Sequence, residues 1–146
     1  APVTGTVKTL ANVADKTFAD KVLGDGAAIF PSEGRVYAPA DGTVVNIMDT
    51  KHGIMFVADS GAEILIHIGL DTVNLKGKYF KSYVTDGERV KKGALLVEFD
   101  LEAIKKEGYD LTTSVVVTNI SDYIKAVCME KEGSEISAGE KFLTVV

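Results

Sequence analysis

The stretch APADGTV, residues 38–44, repeats the opening of the chain, APVTGTV, residues 1–7, with five of seven positions identical. A second unit also occurs twice: DGERVKKG, residues 86–93, returns as EGSEISAG, residues 132–139, and an apolar segment follows each copy. Turn residues recur in many β proteins, but here two different units recur. Because a solenoid needs three or more stacked repeats, two copies predict an internally duplicated β-fold.

The apolar segments around these units are short and rich in β-branched residues, and turns containing glycine separate them. Such segments predict strands. The seven segments are residues 5–10, 42–48, 53–59, 62–70, 94–100, 114–120 and 141–146. The pattern is typical of an all-β sandwich or barrel.

One short helix is predicted after Asp100, which is a suitable N-cap for residues 101–107, with Gly108 following the last turn. We also expect residues 15–23 and 121–127 to hold a turn or two of helix each. The predicted fold therefore contains one to three short helical turns.

Length and composition favour one globular domain spanning residues 1–146, with 46% hydrophobic and 25% charged residues. The net charge of −5 and the lack of a basic cluster argue against nucleic acid and anionic membranes as partners. Cys128 is the single cysteine, which predicts a cytoplasmic protein without an intramolecular disulfide. We expect no signal peptide and no membrane span, and the start at Ala1 fits either a trimmed protein or a piece of a longer polypeptide.

His67 lies in the apolar run EILIHIGL, residues 63–70. Alternate residues of a strand face opposite sides, so the aliphatic side chains at positions 64, 66, 68 and 70 share one face. Because this face must be the core face, His67 is predicted to lie on the other side. Gly69 leaves the imidazole unobstructed and places a carbonyl nearby. Asp71 is expected on the face of His67 or beyond a bend at the end of the strand.

The second histidine, His52, follows the segment VVNIMDT, residues 44–50. Alternation groups His52 with Thr50, a possible hydrogen-bond partner, and places Val45 and Ile47 on the opposite, core side. A solvated loop histidine fits the pattern equally well.

Three kinds of function are compatible with two histidines and a carboxylate. The first is phosphoryl transfer through a phosphohistidine, in which one ring nitrogen needs a free lone pair while the other keeps its proton. The second is a zinc site formed by His52, His67 and Asp71 with an open coordination position. The third is a binding module without chemistry.

Four blocks, residues 18–31, 38–53, 59–77 and 87–104, resemble the glucose-type enzyme IIA domain of the bacterial phosphoenolpyruvate-dependent sugar phosphotransferase system. The block DSGAEILIHIGLDTVNLKG, residues 59–77, is the most specific, and the resemblance covers essentially the whole chain. It implies an antiparallel β-sandwich of the barrel-sandwich-hybrid type, related to biotinyl and lipoyl domains by duplication.

The resemblance also implies roles for individual residues. His67 matches the histidine that is phosphorylated on Nε2, and the Gly69 carbonyl is the group expected to fix its tautomer. His52 matches the second histidine, which hydrogen-bonds the phosphoryl group, and Thr50 matches the hydroxyl paired with it. The two carboxylates that flank the site match Asp15 and Asp71.

The resemblance also implies which proteins donate and accept the phosphoryl group. The phosphocarrier protein HPr would donate the phosphoryl group, and the IIB domain of a membrane sugar permease would accept it on a cysteine. The choice of sugar would lie in that permease. No metal is required for this transfer, although some relatives bind zinc through the two histidines when docked to a regulated partner. We expect a monomer.

Family members dock their partners on an exposed apolar ring around the histidines. Leu65 is the best test, because alternation places it beside His67, and methionines suit a surface with several partners. Met48 and Met55 stand where well-known relatives carry phenylalanine, which puts regulatory docking in doubt. The matching positions are Phe18, Val22, Leu23, Met48, Met55, Leu65 and Val73.

Two alternatives to the phosphocarrier are a zinc-dependent hydrolase and a non-catalytic regulatory paralogue. Lysostaphin-like peptidases share a related β architecture and an H-x-x-x-D pair. They also use an H-x-H pair. This chain has two histidines in all, so no histidine remains to form that pair. A regulatory paralogue would have little reason to keep both histidines together with Asp15 and Asp71.

Overall fold

The computed structural model describes residues 1–10, 24–120, 126–128 and 132–145. Within these residues the chain forms thirteen strands, the helix α1 (Leu101–Lys106) and a 3-10 helix (Thr72–Leu75). The strands are β1 Gly5–Thr9, β2 Asp25–Pro31, β3 Arg35–Tyr37, β4 Gly42–Ile47, β5 Gly53–Ala58, β6 Glu63–His67, β7 Phe80–Ser82, β8 Arg89–Val90, β9 Leu95–Phe99, β10 Thr113–Val117, β11 Ala126–Cys128, β12 Glu135–Ile136 and β13 Leu143–Val145.

The strands pair antiparallel in three sheets. The largest has eight strands in the order β12-β1-β2-β10-β6-β5-β4-β8, the second has the order β3-β9-β7, and β11 pairs with β13. The main hydrophobic core joins side chains of the eight-stranded sheet, such as Ile29 and Ile66, to side chains of the three-stranded sheet, such as Val97 and Phe80. The predicted all-β, antiparallel fold class is confirmed. Among the described residues, no helix has both the length and the apolar character that crossing a membrane requires.

The repeats of the sequence adopt the same pairing twice. In the first copy, Gly5 of β1 pairs with Ile136 of β12. In the second copy, Gly42 of β4 pairs with Val90 of β8, at the equivalent positions of the two repeated units. Similar local sequences have therefore produced the same strand register in both halves, and the predicted internal duplication is confirmed.

The repeated glycines are required by a close approach of backbone. A Cβ atom on Gly5 would lie 2.1 Å from the carbonyl oxygen of Phe30 in the neighbouring strand β2. A Cβ atom on Gly42 would lie 2.2 Å from the carbonyl oxygen of Val57 in β5. No side chain fits at such distances, so each copy needs a glycine where its first strand passes its neighbour.

Side chains of β6 alternate between two clusters, as the sequence predicts. Ile66 belongs to the main core, whereas Leu65 belongs to a second cluster with Leu10, Ala28, Leu70 and Val116. Leu70 was predicted on the same core face as Ile66. It is buried, but it packs in the second cluster with Leu65, so the predicted face is wrong. The strand ends at His67 and the chain turns at Gly69, where φ is +76°, so alternation no longer applies to Leu70.

A β-bulge in β4 overturns another prediction from alternation. Val44 pairs with Phe56 and Asn46 pairs with Met55, so Val45 is an extra residue in this strand. Val45 was predicted to face the core but is 49% exposed, while Val44 is fully buried. Ile47 was also predicted to face the core, and it does pack against the main core. The inserted residue shifts the alternation, so Val44 and Ile47, three positions apart, both face the core.

The helix predicted after Asp100 is confirmed. The Asp100 carboxylate accepts a hydrogen bond from the Ala103 N–H at 3.1 Å, and Gly108 follows the helix with φ of +90°. Residues 15–23 and 121–125 lie outside the described residues. Ala126 and Val127, expected in a helical turn, instead form strand β11 because they pair with β13.

Candidate functional site

His67 is the last residue of β6, a strand in the interior of the eight-stranded sheet. Its Cα partners are Gly53 on β5 and Ser114 on β10. The imidazole is partly exposed, while its neighbours Ile66 and Ile68 are fully buried in the main core. The imidazole of His67 therefore stands on a strand that is paired on both edges and packed against the core behind it.

One ring nitrogen of His67 has a defined partner. Nδ1 lies 2.9 Å from the carbonyl oxygen of Gly69. Because a carbonyl oxygen can only accept, Nδ1 carries the hydrogen and donates it. In a neutral imidazole the lone pair is then on Nε2, which is the nitrogen that a phosphohistidine or a metal would use.

Gly69 is needed for two reasons that the strand pattern did not indicate. Its φ of +76° is unfavourable for residues with a side chain. A Cβ atom there would lie 2.6 Å from Thr72 Cγ2 and 2.9 Å from the Asp110 carbonyl oxygen. Gly69 therefore lies in a turn after the strand, and its carbonyl, rather than its lack of a side chain next to the ring, makes the contact with His67.

His52 lies between the β4–β5 turn and the start of β5, and it is buried, with 4% of its surface exposed. Thr50 Oγ1 lies 2.5 Å from His52 Nδ1. The His52 carbonyl accepts a hydrogen bond of 2.7 Å from the Ile68 N–H, which ties it to the residue after His67. The alternative of a solvated loop histidine is excluded.

The two histidines contact each other. Their ring centroids are 4.8 Å apart and their planes meet at 88°, an edge-to-face arrangement. Burial, and to a smaller extent the charge of a protonated His67, lower the pKa of His52 to about 4. At neutral pH, His52 is therefore an uncharged hydrogen-bonding group next to His67.

Of the two carboxylates predicted to flank the site, Asp71 is among the described residues and Asp15 is not. Asp71 is exposed, has φ of +58° and precedes the 3-10 helix, so it lies beyond a bend at the end of β6. Thr72 Oγ1 donates to the Ile68 carbonyl at 2.5 Å and closes this bend. Asp15 lies outside the described residues.

A three-ligand zinc site does not form from the described parts of the chain. Among residues 1–10, 24–120, 126–128 and 132–145, no group of three or more His, Cys, Asp and Glu side chains could hold a metal ion. His52, His67 and Asp71 therefore do not form the set that the zinc hydrolase alternative requires.

The apolar ring is present in part. Met48 and Val73 are exposed and Met55 is partly exposed. Leu65 was expected in the exposed ring but is only 6% exposed. It packs against Val116 and Met55 in the second cluster, so it lies beneath the surface rather than on it. Three further positions, Phe18, Val22 and Leu23, lie outside the described residues.

Four residues near His67 were missed by the sequence analysis: Thr72, Asp110, Thr112 and Ser114. Thr72, Thr112 and Ser114 are fully buried. The spacing Asp110-x-Thr112 is typical of a turn closed by an aspartate side chain, and this signal was available. Nothing in the local sequence indicates that Asp110, Thr112 and Ser114 lie beside His67 and the turn that follows it, because β10 and β6 are far apart in the chain.

Comparisons with known proteins agree on one family. The family model described as phosphoenolpyruvate-dependent sugar phosphotransferase system, EIIA 1, matches residues 1–123. The chain is 44% identical over 146 residues to the PTS system glucose-specific EIIA component of Halalkalibacterium halodurans, covering 100% of this chain and 83% of that protein. It is 52% identical over 123 residues to the PTS system beta-glucoside-specific EIIBCA component of Dickeya chrysanthemi, covering 84% of this chain. The chain spans only 20% of that longer relative.

A solved structure is similar to this chain over nearly its whole length. It is the glucose permease IIA from Mycoplasma capricolum, with a TM-score of 0.86 and 36% sequence identity. The match covers 98% of this chain and 91% of that one.

Proposed function

This chain belongs to the EIIA 1 family of the phosphoenolpyruvate-dependent sugar phosphotransferase system, and on this premise we propose that it is a phosphocarrier in sugar uptake. His67 accepts a phosphoryl group from the phosphocarrier protein HPr and passes it to the IIB domain of a sugar permease. The observation that carries the proposal is the hydrogen bond from His67 Nδ1 to the Gly69 carbonyl, which leaves the lone pair on Nε2.

The transfer needs one nucleophile and no movement of a proton on His67. Nε2 attacks the phosphorus atom, the Nε2–P bond forms, and the bond from phosphorus to the donor breaks with its electron pair returning to the donor. Nδ1 keeps its hydrogen throughout, because the Gly69 carbonyl accepts it before and after the transfer. Passing the group to the IIB cysteine reverses these steps at His67.

His52 is the group that stabilises the phosphoryl oxygens. It is uncharged at neutral pH because burial lowers its pKa to about 4. In this proposal the Thr50 hydroxyl donates to His52 Nδ1, so that the hydrogen of the His52 ring is on Nε2 and is available to a phosphoryl oxygen. A neutral donor stabilises the transferring group without binding it so strongly that it cannot leave.

Asp71, and Asp15 with it, complete the proposed site. Their negative charge disfavours a permanently bound phosphoryl group and so keeps the phosphorylated state ready to donate. In this proposal the transfer does not use a metal. Zinc bound by His52 and His67 would need further ligands from a docked partner.

The partners dock on the apolar surface beside the histidines, where Met48 and Val73 are exposed. The Dickeya chrysanthemi relative is named as an EIIBCA component. A name that unites components B, C and A supports a IIB domain as acceptor for this chain. The single cysteine of the chain, Cys128, agrees with a cytoplasmic location.

The experiment is incubation with phosphoenolpyruvate, enzyme I and HPr, followed by mass measurement. The wild-type chain should gain one acid-labile phosphoryl group, also in the presence of chelator. His67→Gln should gain none, and His52→Gln should accept the group but donate it poorly to IIB. Glu102→Gln, an exposed change of the same kind on α1, should behave as wild type. Normal labelling of a folded His67→Gln variant would refute the proposal.

A further inference from the structure

A turn in front of β10 is closed by a single carboxylate oxygen. Asp110 Oδ1 accepts hydrogen bonds from the Thr112 N–H at 2.8 Å and from the Thr112 hydroxyl at 2.7 Å. Thr112 is fully buried, so its hydroxyl has this carboxylate in place of water. The side chain of Asp110 therefore sets the backbone conformation of residues 110–112.

The backbone of this turn holds the segment that follows His67. The Thr112 carbonyl accepts a hydrogen bond from the Gly69 N–H at 3.1 Å, and the Asp110 carbonyl accepts one from the Leu70 N–H at 2.8 Å. The Asp110 carbonyl is also the atom that a Cβ on Gly69 would approach to 2.9 Å. The two segments are thus joined by two hydrogen bonds and in close contact.

The bond to Leu70 controls the direction of the Gly69 carbonyl. The Gly69 C=O and the Leu70 N–H belong to one planar trans peptide unit, so they point in opposite directions within a rigid peptide plane. The Asp110 carbonyl accepts the hydrogen bond from the Leu70 N–H, and the Gly69 carbonyl on the other side of this peptide plane accepts the hydrogen of His67 Nδ1 at 2.9 Å. Without this hydrogen bond, the conformational freedom of Gly69 would let the peptide plane rotate.

We infer that Asp110 is a positioning residue for His67: its carboxylate orders the turn that orients the Gly69 carbonyl, and this carbonyl keeps the hydrogen of the imidazole on Nδ1. Asp110 acts through Gly69 and does not touch the transferred group. The consequence for phosphoryl transfer rests on the proposed function. The consequence for the tautomer of His67 does not.

The test compares four variants of the full chain by the ¹⁵N chemical shifts of the His67 ring nitrogens, which report the tautomer. Asp110→Ala should shift His67 toward a mixture of the two tautomers and slow phosphoryl acceptance from HPr roughly tenfold, as expected for losing one hydrogen bond that selects the reactive form. Asp110→Asn should restore both values, because the amide oxygen can accept the same two hydrogen bonds. Thr112→Val should fall between wild type and Asp110→Ala, since it removes one of the two bonds with little change of shape.

The matched control is Asp100→Ala. Asp100 also accepts a backbone hydrogen bond through its side chain, but it caps α1 and is not bonded to the Gly69 segment. This control should lose stability and keep the wild-type tautomer and transfer rate. The inference is wrong if folded Asp110→Ala and Thr112→Val keep the Nδ1–H tautomer as fully as wild type. If wild type itself is not phosphorylated, the proposed function fails while the tautomer still tests the inference.

Discussion

Burial of His52 predicts that the folded state loses stability as the pH falls. The pKa of His52 is lowered to about 4, whereas in the unfolded chain it has its ordinary value of about 6.5. Between these two values the unfolded chain binds more protons than the folded chain, so acid favours unfolding. The stabilisation is fully present above about pH 6.5 and is lost progressively down to about pH 4. The difference of about 2.5 pH units corresponds to about 3 kcal/mol.

The measurement is urea unfolding of wild type and His52→Gln at pH values stepped from about 7.5 to about 4. Glutamine keeps a polar side chain but does not titrate, so the loss due to His52 should disappear in the variant. Carboxylates and His67 are present in both chains and largely cancel in the comparison. Wild type should therefore lose about 3 kcal/mol more free energy of unfolding than the variant over this range.

Two results would refute this reasoning. One is a parallel loss of stability in wild type and His52→Gln, which would mean that His52 titrates alike in the folded and unfolded states. The other is an NMR titration in which the His52 ring of the folded protein takes up its proton near pH 6.5.

Three further predictions concern single residues. Ser114→Ala should raise the free energy of unfolding by about 1 kcal/mol, since the buried Ser114 hydroxyl has no hydrogen-bond partner in the part of the chain the structure describes; a lower urea midpoint would contradict this. Gly42→Ala should lower the free energy of unfolding by about 3 kcal/mol in the same assay, because its Cβ would collide with β5. Gly87→Ala should lower it by only about 1 kcal/mol, because φ at this residue is +83° but the space around it is open. Val73→Asp should weaken HPr binding several-fold in a titration while the melting temperature stays unchanged, because this side chain is exposed; unchanged binding would remove Val73 from the docking surface.

Alternation along strands was informative only while the strand stayed regular. On β6 it correctly placed Ile66 in the core and His67 on the other side. It failed at Val45, where a bulge inserts a residue, and at Leu70, where the chain has already turned. It also gave the side of the sheet for Leu65 but not the exposure, because exposure depends on what packs over that side.

Several short strands could not be predicted from their own residues. β3, β7, β8 and β12 have two or three residues each, too few to show a period. β2 is longer, but its sequence DGAAIFP begins with residues of low strand propensity. It is a strand because β1 and β10 pair with it on both edges, which is a property of the sheet and not of the segment.

The sequence by itself determined that this chain is a duplicated β-fold and that His67 stands opposite the core. Both follow from local patterns: repeated units take the same register, and side chains alternate along a strand. Only the tertiary structure decided that His52 is buried against His67 and that the turn of Asp110 orients the Gly69 carbonyl. These contacts join segments that are distant in the chain, and they exist because the order β10-β6-β5 places those segments side by side in one sheet.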